Sequence, residues 1–189
     1  EAVQGGAVHL NGVNKVNFDL SVFDSNFAKI NGDCCNNFGG AVHINRVGSV
    51  EIKNSRFTNN KIFTPDNNQG GEARGGALNI ENFRNPLKIQ NNLFISNIAE
   101  ASGNNYNSSG GAIRVTTYDN EWYNEEIIVA NNTFFQNKST IKNGSGYTHS
   151  PAIVFEDDRF ILRVFNNIFW QNELQEARSE EHTSELQSP

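Results

Sequence analysis

The chain has 189 residues, 37% of them hydrophobic, and a formal net charge of −6 at pH 7. No apolar run approaches the roughly 18 residues that a membrane-spanning helix needs. Lys and Arg are scattered singly along the sequence, and together with the negative charge this disfavours nucleic acid and anionic membrane surfaces as partners.

Two motifs recur in phase along the chain. Gly-Gly-Ala followed by an aliphatic residue begins at residues 5, 39, 75 and 110, and Ser150-Pro151-Ala152-Ile153 is a degenerate fifth copy. The starts therefore advance by 34, 36, 35 and 40 residues (5→39→75→110→150). The second motif is a Phe with an Asn three places later, at Phe23/Asn26, Phe57/Asn60, Phe94/Asn97, Phe134/Asn137 and Phe169/Asn172. This fixed period predicts a solenoid whose repeats stack around one shared core.

Each of the first four repeats opens with a glycine pair, which allows a sharp turn or a close approach to the repeat above. Aliphatic residues then alternate with polar ones, which is the period-2 pattern of β-strands. The first predicted strand points inward through Val8/Leu10, Val42/Ile44, Leu78/Ile80, Ile113/Val115 and Ile153/Phe155. The second points inward through Val16/Phe18, Val50/Ile52, Leu87/Ile89, Ile127/Val129 and Leu162/Val164.

Asparagines flank the motif Phe on both sides. Three places before it stand Asn54, Asn91, Asn131 and Asn166, with Leu20 as the exception. Strand parity places these asparagines inward, where stacked copies can satisfy one another's amide groups. The motif asparagines three places after Phe form a second column, which caps the turn that ends the strand.

The predicted fold is all-β: a single-stranded parallel β-helix solenoid of about five coils with inward Asn ladders. The predicted domain covers residues 1–177 and is interpreted as a fragment of a longer array, whose uncapped ends are expected to self-associate. Residues 178–189 break the pattern and look like a translated sequencing adapter, so they are interpreted as a non-native tail.

The paired motifs Gly-Gly-Ala-aliphatic and Phe-x-x-Asn, from about Gly5 to Asn172, resemble the repeats of the polymorphic outer membrane proteins first recognised in chlamydiae. That resemblance implies a right-handed parallel β-helix of the pectate-lyase-like superfamily, displayed at the cell surface for adhesion. The chain departs from the pattern in its fifth repeat, which has lost its glycines.

Five residues are candidates for ligand binding. His9 and His43 occupy equivalent outward positions on the first strand of neighbouring coils, followed there by Asn79, Arg114 and Val154. Stacked histidines suit a metal or an anionic sugar, and the alternative is an exposed polar row. Tyr118, Trp122 and Tyr123 lie in an insertion of the fourth repeat and suit carbohydrate stacking or a protein contact, the alternative being packing onto the solenoid.

Catalytic chemistry is not expected. The tight acidic cluster Glu156-Asp157-Asp158, beside Arg159, follows the degenerate strand in a predicted turn, where solvated charges are ordinary. The adjacent Cys34 and Cys35 match no zinc spacing and are interpreted as inert. We therefore predict no catalytic residue, no cofactor and no metal.

The sequence favours a non-enzymatic module that is extracellular or at the cell surface, associated with the outer membrane if bacterial. It is expected to bind carbohydrate or a host cell-surface protein through its loops, without nucleic acid and without inserting into a membrane. The alternative is a fragment of a β-helix polysaccharide lyase or glycoside hydrolase.

Overall fold

The computed structural model describes residues 4–29, 37–65, 71–84, 86–118, 126–157 and 159–175. These residues form 24 short strands in five parallel sheets, which we label A to E in the order in which one coil visits them. No helix that could span a membrane occurs in the described part of the chain.

Sheet A comprises β5 (Asn37–Phe38), β10 (Gly71–Arg74), β15 (Tyr106–Ser109) and β20 (Gly146–His149). Sheet B comprises β1 (Val8–Asn11), β6 (Val42–Val47), β11 (Leu78–Phe83), β16 (Ile113–Thr116) and β21 (Ile153–Phe155). Sheet C comprises β2 (Lys15–Asp19), β7 (Ser49–Lys53), β12 (Leu87–Gln90), β17 (Glu126–Ala130) and β22 (Ile161–Phe165).

Sheet D comprises β3 (Val22–Asp24), β8 (Arg56–Thr58), β13 (Leu93–Ile95), β18 (Thr133–Phe135) and β23 (Ile168–Trp170). Sheet E comprises β4 (Phe27–Lys29), β9 (Lys61–Thr64), β14 (Ile98–Ser102), β19 (Lys138–Lys142) and β24 (Glu173–Gln175).

Every strand pairs with its equivalent in the neighbouring coil, so the prediction of a parallel β-solenoid is confirmed. The expectation of about five coils is close, since four sheets contain five strands and sheet A contains four. The right-handed coiling of the solenoid stays a prediction. The predicted domain boundary at residue 177, the tail 178–189 and the two cysteines lie outside the described residues.

The main core lies between sheets B, C and D and contains the two aliphatic columns that the sequence predicts. The buried members in the middle coils are Val42, Ile44, Val50, Ile52, Leu78, Ile80, Leu87, Ile89, Ile113, Val115, Ile127 and Val129. The five motif phenylalanines form a continuous stack whose ring centroids are 4.8 to 5.0 Å apart. Each inward residue therefore packs against its own counterpart one coil away.

The glycine pairs divide the cross-section into two compartments. The first glycine of a pair takes a left-handed backbone, with φ of +70° at Gly75. The second allows a close approach, because a Cβ at Gly76 would lie 1.9 Å from the carbonyl oxygen of Gly111 and 2.6 Å from the carbonyl carbon of Ile98. The start of sheet E thus lies directly against the corner between sheets A and B. On the other side of this close approach, a smaller apolar cluster that includes Ile62 and Tyr106 fills the space between sheets A and E.

Two asparagine ladders run along the solenoid, but the first is displaced by one residue from its predicted position. Asn91 and Asn131 are exposed and hold left-handed φ angles of 57° and 58°, so the prediction that they point inward is wrong. The inward column is formed by the next residue in each coil: Ser55, Asn92 and Asn132, which are buried, and Asn167, which is partly buried at the end of the solenoid.

The geometry of this ladder satisfies every amide group in it. The Asn132 Oδ1 accepts hydrogen bonds from the backbone N–H of Asn92 at 2.9 Å and from its Nδ2 at 3.0 Å. The Asn132 Nδ2 in turn donates to the carbonyl of Ile89 and to Asn167. The second predicted column, Asn26, Asn60, Asn97, Asn137 and Asn172, makes the same pattern and is confirmed.

Candidate functional site

Outward side chains of sheets A and B contact one another on the surface of the solenoid, as Phe38 does with His43. On sheet B, strand pairing aligns His9, His43, Asn79 and Arg114 in one row. On sheet A, Phe38 and Arg74 are aligned beside that row. We call this surface the polar corner and define it by His9, His43, Asn79, Arg114, Phe38, Arg74, Glu81, Glu156 and Tyr118.

The polar corner brings together three of the five candidate ligand-binding residues, since His9, His43 and Tyr118 all belong to it. The other two candidates, Trp122 and Tyr123, lie outside the described residues. They follow Tyr118 in the chain by four and five positions (118→122→123), within the same insertion.

His43 points away from the core but is completely buried, so the alternative of an exposed polar row is wrong for this residue. Its ring stacks on His9 with centroids 5.0 Å apart, and Phe38 covers it at 5.1 Å. Arg74 in turn packs on Phe38, with its guanidinium carbon 5.3 Å from the Phe38 ring centre. The end of sheet A therefore forms a lid over the row on sheet B.

Asn79 fixes the protonation of His43. The Asn79 Oδ1 accepts a hydrogen bond from Arg114 Nη1 at 3.1 Å, so its Nδ2 is the group that donates to His43 Nδ1 at 3.0 Å. The imidazole proton is therefore on Nε2, a buried atom without a hydrogen-bond partner among the described residues. Burial, followed by the proximity of His9 and Arg114, lowers the pKa of His43 to about 3, so the ring is neutral at pH 7.

Arg114 is the electrostatic centre of the polar corner. Although it is fully buried, it forms ion pairs with Glu81 at 2.8 Å and with Glu156, whose Oε2 accepts from Arg114 Nε at 2.8 Å. Burial by itself lowers the pKa of Arg114, but the hydrogen bond and charge of Glu156 outweigh it and hold that pKa above its ordinary value. Burial likewise raises the pKa of Glu156, and Arg114 reverses the effect.

Tyr118 stands at the edge of this ion-pair network. Its hydroxyl oxygen accepts hydrogen bonds from Arg114 Nη2 at 2.6 Å and from Arg74 Nη1 at 2.9 Å. Its backbone N–H donates to Asn82 Oδ1 at 2.8 Å. The guanidinium carbon of Arg114 also lies over the ring, 5.8 Å from its centre, yet the residue is 56% exposed, so the ring is held at its hydroxyl end and remains accessible to solvent over much of its surface.

The acidic cluster after β21 is not a set of free solvated charges, which corrects the sequence interpretation. Glu156 is committed to Arg114 and accepts a hydrogen bond from Ser109, while Asp157 pairs with Arg159. The hydrogen bond from Arg159 lowers the pKa of Asp157. Asp158 lies outside the described residues.

No three His, Cys, Asp or Glu side chains converge on a point where they could hold a metal ion, within the part of the chain that the structure describes. The row that includes His9 and His43 continues with an amide and a guanidinium. Its third and fourth members are therefore hydrogen-bonding groups and not further metal ligands.

Sequence reasoning missed Arg114, Glu81 and Glu156 as members of one cluster. Glu81 and Arg114 are separated along the chain and become diagonal neighbours only through the pairing of β11 with β16. Their signal in the sequence is opposite charge at outward positions of the first strand in consecutive repeats.

Comparison with known proteins finds no matching family model, no matching curated protein and no matching solved structure.

Proposed function

We propose that this chain is a non-enzymatic β-helix module, displayed at a cell surface or secreted, which binds a neutral carbohydrate at the polar corner. The observation that carries the proposal is Tyr118: its hydroxyl is fixed by Arg74 and Arg114 while the residue remains 56% exposed. An aromatic ring that is already ordered loses little conformational entropy on binding, and it offers an apolar face to the C–H groups of a sugar.

The charges of the polar corner favour a neutral, hydroxyl-rich ligand. Arg114 is paired with Glu81 and Glu156, and Arg74 is paired with Glu72 on its own strand. An additional ionic ligand would therefore compete with existing ion pairs, whereas sugar hydroxyls can donate to the outer lone pairs of these carboxylates. Trp122 and Tyr123, which follow Tyr118 in the insertion, would supply further aromatic faces.

The adhesin-like role, the membership of the polymorphic outer membrane protein repeats and the extracellular location belong to the same proposal. These roles are supported by the two motifs that recur with the same period. They are also supported by the parallel solenoid, in which the glycines, phenylalanines and asparagines of the motifs occupy equivalent positions in successive coils. A carbohydrate is the preferred partner, and a host cell-surface protein that offers similar chemistry is the other; nucleic acid and membrane insertion form no part of the proposal.

The test is a screen of the full chain against immobilised neutral oligosaccharides, followed by calorimetric titration of those that bind. Tyr118→Ala is expected to weaken binding about tenfold, because it removes the ordered ring. Trp122→Ala should weaken binding too. Trp170→Ala removes an exposed aromatic residue from sheet D and serves as the matched control, with unchanged affinity.

Binding that is unaffected by Tyr118→Ala, or the absence of any bound sugar in the screen, would contradict the proposal. Release of new reducing or unsaturated ends from a polysaccharide, lost in Glu156→Gln or Asp157→Ala, would replace it with the enzyme alternative.

A further inference from the structure

A second surface lies at the corner between sheets B and C, one strand along the coil from the polar corner. A cleft of about 300 Å³ opens there between the turns of the first coils. Its lining includes Gly12 from the first coil, Arg46 and Gly48 from the second, and Arg84 from the third. No carboxylate lines this cleft among the described residues, whereas two guanidinium groups do.

A smaller cleft of about 150 Å³ continues the surface along sheet C, beginning at Ser49, the residue after Gly48. Lys15 and Lys88 line it together with Glu51, and Glu51 forms an ion pair with Lys53 at 3.6 Å. The two clefts together thus carry four basic side chains and one acidic side chain, in a chain whose net charge is −6. We call this surface the basic corner and define it by Lys15, Arg46, Arg84 and Lys88.

The basic residues are scattered in the sequence because they belong to three different coils. Lys15 pairs in register with Ser49, and Lys88 with Glu51, so stacking brings the three coils to within about two strand spacings, or ~10 Å. Although Lys and Arg are scattered singly along the sequence, stacking of the coils therefore concentrates four basic side chains on this surface.

Arg46 holds a backbone conformation that its residue type disfavours. Its φ is 52°, in the left-handed region, and the aligned positions in the neighbouring coils are Gly12, with φ 72°, and Asn82, with φ 50°. Gly and Asn adopt this conformation readily, whereas a long side chain on Cβ adds strain. The Arg46 side chain is exposed and makes no hydrogen bond or ion pair with another described residue, so no intramolecular contact explains why arginine stands there.

We propose that the basic corner binds a tetrahedral oxyanion, a sulfate or phosphate group, between Arg46 and Arg84. Such a group presents oxygens in several directions and can accept hydrogen bonds from guanidinium groups on two sides, whereas a planar carboxylate is matched by the fork of a single arginine. Lys15 and Lys88 extend the surface for further anionic groups on the same ligand.

The oxyanion can be a free ion or an ester group on a saccharide. Nucleic acid is the less favoured polyanion, because none of the described residues that line the two clefts is an aromatic side chain on which bases could stack. The basic corner is separate from the polar corner, so this inference goes beyond the proposed function and does not rest on it.

The experiment titrates the full chain with sodium sulfate, sodium phosphate, a sulfated oligosaccharide and its desulfated counterpart, at low and fixed ionic strength. Saturable binding of the inorganic ions alone identifies a free-ion site, whereas much tighter binding of the sulfated than of the desulfated sugar identifies an ester group as the ligand. In either case Arg46→Asn is expected to weaken binding at least about tenfold, because it removes a charge-assisted hydrogen bond.

Arg46→Asn is a clean variant, since Asn occupies the equivalent position of the next coil in the same conformation, and its melting temperature should equal or exceed that of the parent chain. Arg84→Gln should weaken binding similarly. Arg56→Gln removes an exposed arginine on sheet D and is the charge-matched control, with binding unchanged. Tyr118→Ala should also leave oxyanion binding unchanged, which separates this site from the polar corner.

Equal losses from Arg46→Asn and Arg56→Gln would show only a general charge effect and overturn the proposal, as would the absence of saturable binding to any of the four probes. Tighter binding of duplex DNA than of the sulfated sugar, with the same dependence on Arg46, would reassign the surface to nucleic acid and overturn it as well.

Discussion

The inward and outward faces of sheet B differ in how far their residues vary from coil to coil. The inward column is aliphatic in the first four coils and ends with Phe155 in the fifth, whereas the outward row changes from imidazole to amide to guanidinium in consecutive coils. An inward residue packs against its own copy above and below, which restricts its shape and polarity. An outward residue needs only neighbours with which its polar groups can interact. The outward row of sheet B can therefore carry a different functional group in each coil.

The same contrast separates the two outer corners. In the polar corner every guanidinium is paired with a carboxylate, and Phe38 packs against the buried His43. In the basic corner Arg46 is unpaired and exposed. Charges that are paired and buried order a surface, whereas an exposed cationic side chain such as that of Arg46 attracts an external anion.

The largest expected effect comes from placing a charge in the inward column. Ile89→Asp should destabilise the chain by on the order of 4 kcal/mol. Ile89 is fully buried between its counterparts in neighbouring coils, and so the carboxylate of the new aspartate would be buried without a partner. Lys88→Asp places the same charge one residue away on the outward face, beside Glu51 of the neighbouring coil, and should cost only about 1 kcal/mol.

Urea denaturation followed by circular dichroism measures both variants. Similar losses for Ile89→Asp and Lys88→Asp would mean that the two faces of sheet C are not distinguished as the structure has them. A helix-dominated circular dichroism spectrum of the parent chain would contradict the β-solenoid fold itself.

A smaller difference is expected between adjacent asparagines at the turn from sheet C to sheet D. Asn132→Leu should cost about 1–3 kcal/mol, since Asn92 would lose its acceptor and the carbonyl of Ile89 its donor, all in a buried position. Asn131→Gly should change stability by only about 0.5 kcal/mol, because Asn131 is exposed and glycine favours its left-handed φ of 58°. The ladder is disproved if the two substitutions have equal effects in thermal denaturation.

This pair of residues also shows where sequence reasoning stops. Alternation predicts side-chain direction only while the chain stays extended, and Asn131 is a left-handed turn residue that interrupts the strand, so parity counted through it is off by one. Leu20, which is 80% exposed at the equivalent position, already indicates the error in the sequence. A column that tolerates leucine in place of asparagine is not a hydrogen-bonded ladder. By contrast, the ladder after the motif Phe could be predicted because its register was fixed by the Phe itself.

The aliphatic columns and glycine corners were predictable because each repeats its residue type at a constant period. The polar corner was not, since its members differ in every coil and contact one another diagonally. Arg114 meets Glu81 of the preceding coil and Glu156 of the following one, and no spacing within a single repeat indicates either contact. The basic corner could not be predicted from the sequence for the same reason, because its four side chains come from three coils.

The smallest expected effect tests the covered state of the outward row through its pH dependence. In the folded chain burial lowers the pKa of His43 to about 3, whereas the unfolded chain has the ordinary value of about 6.5. As the pH falls below about 6.5, the unfolded chain binds a proton that folded His43 does not, so stability decreases with falling pH throughout the window from about 6.5 to 3. Between pH 6.5 and 5.5 the loss due to this residue should be about 1 kcal/mol.

The measurement compares the free energy of unfolding at several pH values in this range for the parent chain and two variants. His43→Asn fits the row, because Asn79 occupies the aligned position, and it should reduce the dependence on pH by the share that belongs to His43. His9→Gln removes the exposed neighbour and should retain most of that dependence. An unchanged slope in His43→Asn would mean that the imidazole is protonated within the folded chain, and Phe38 would then not cover it from solvent. Because the outward row is the part of the fold that can vary, the burial of His43 decides whether the row is an ordered network or a set of independent surface residues.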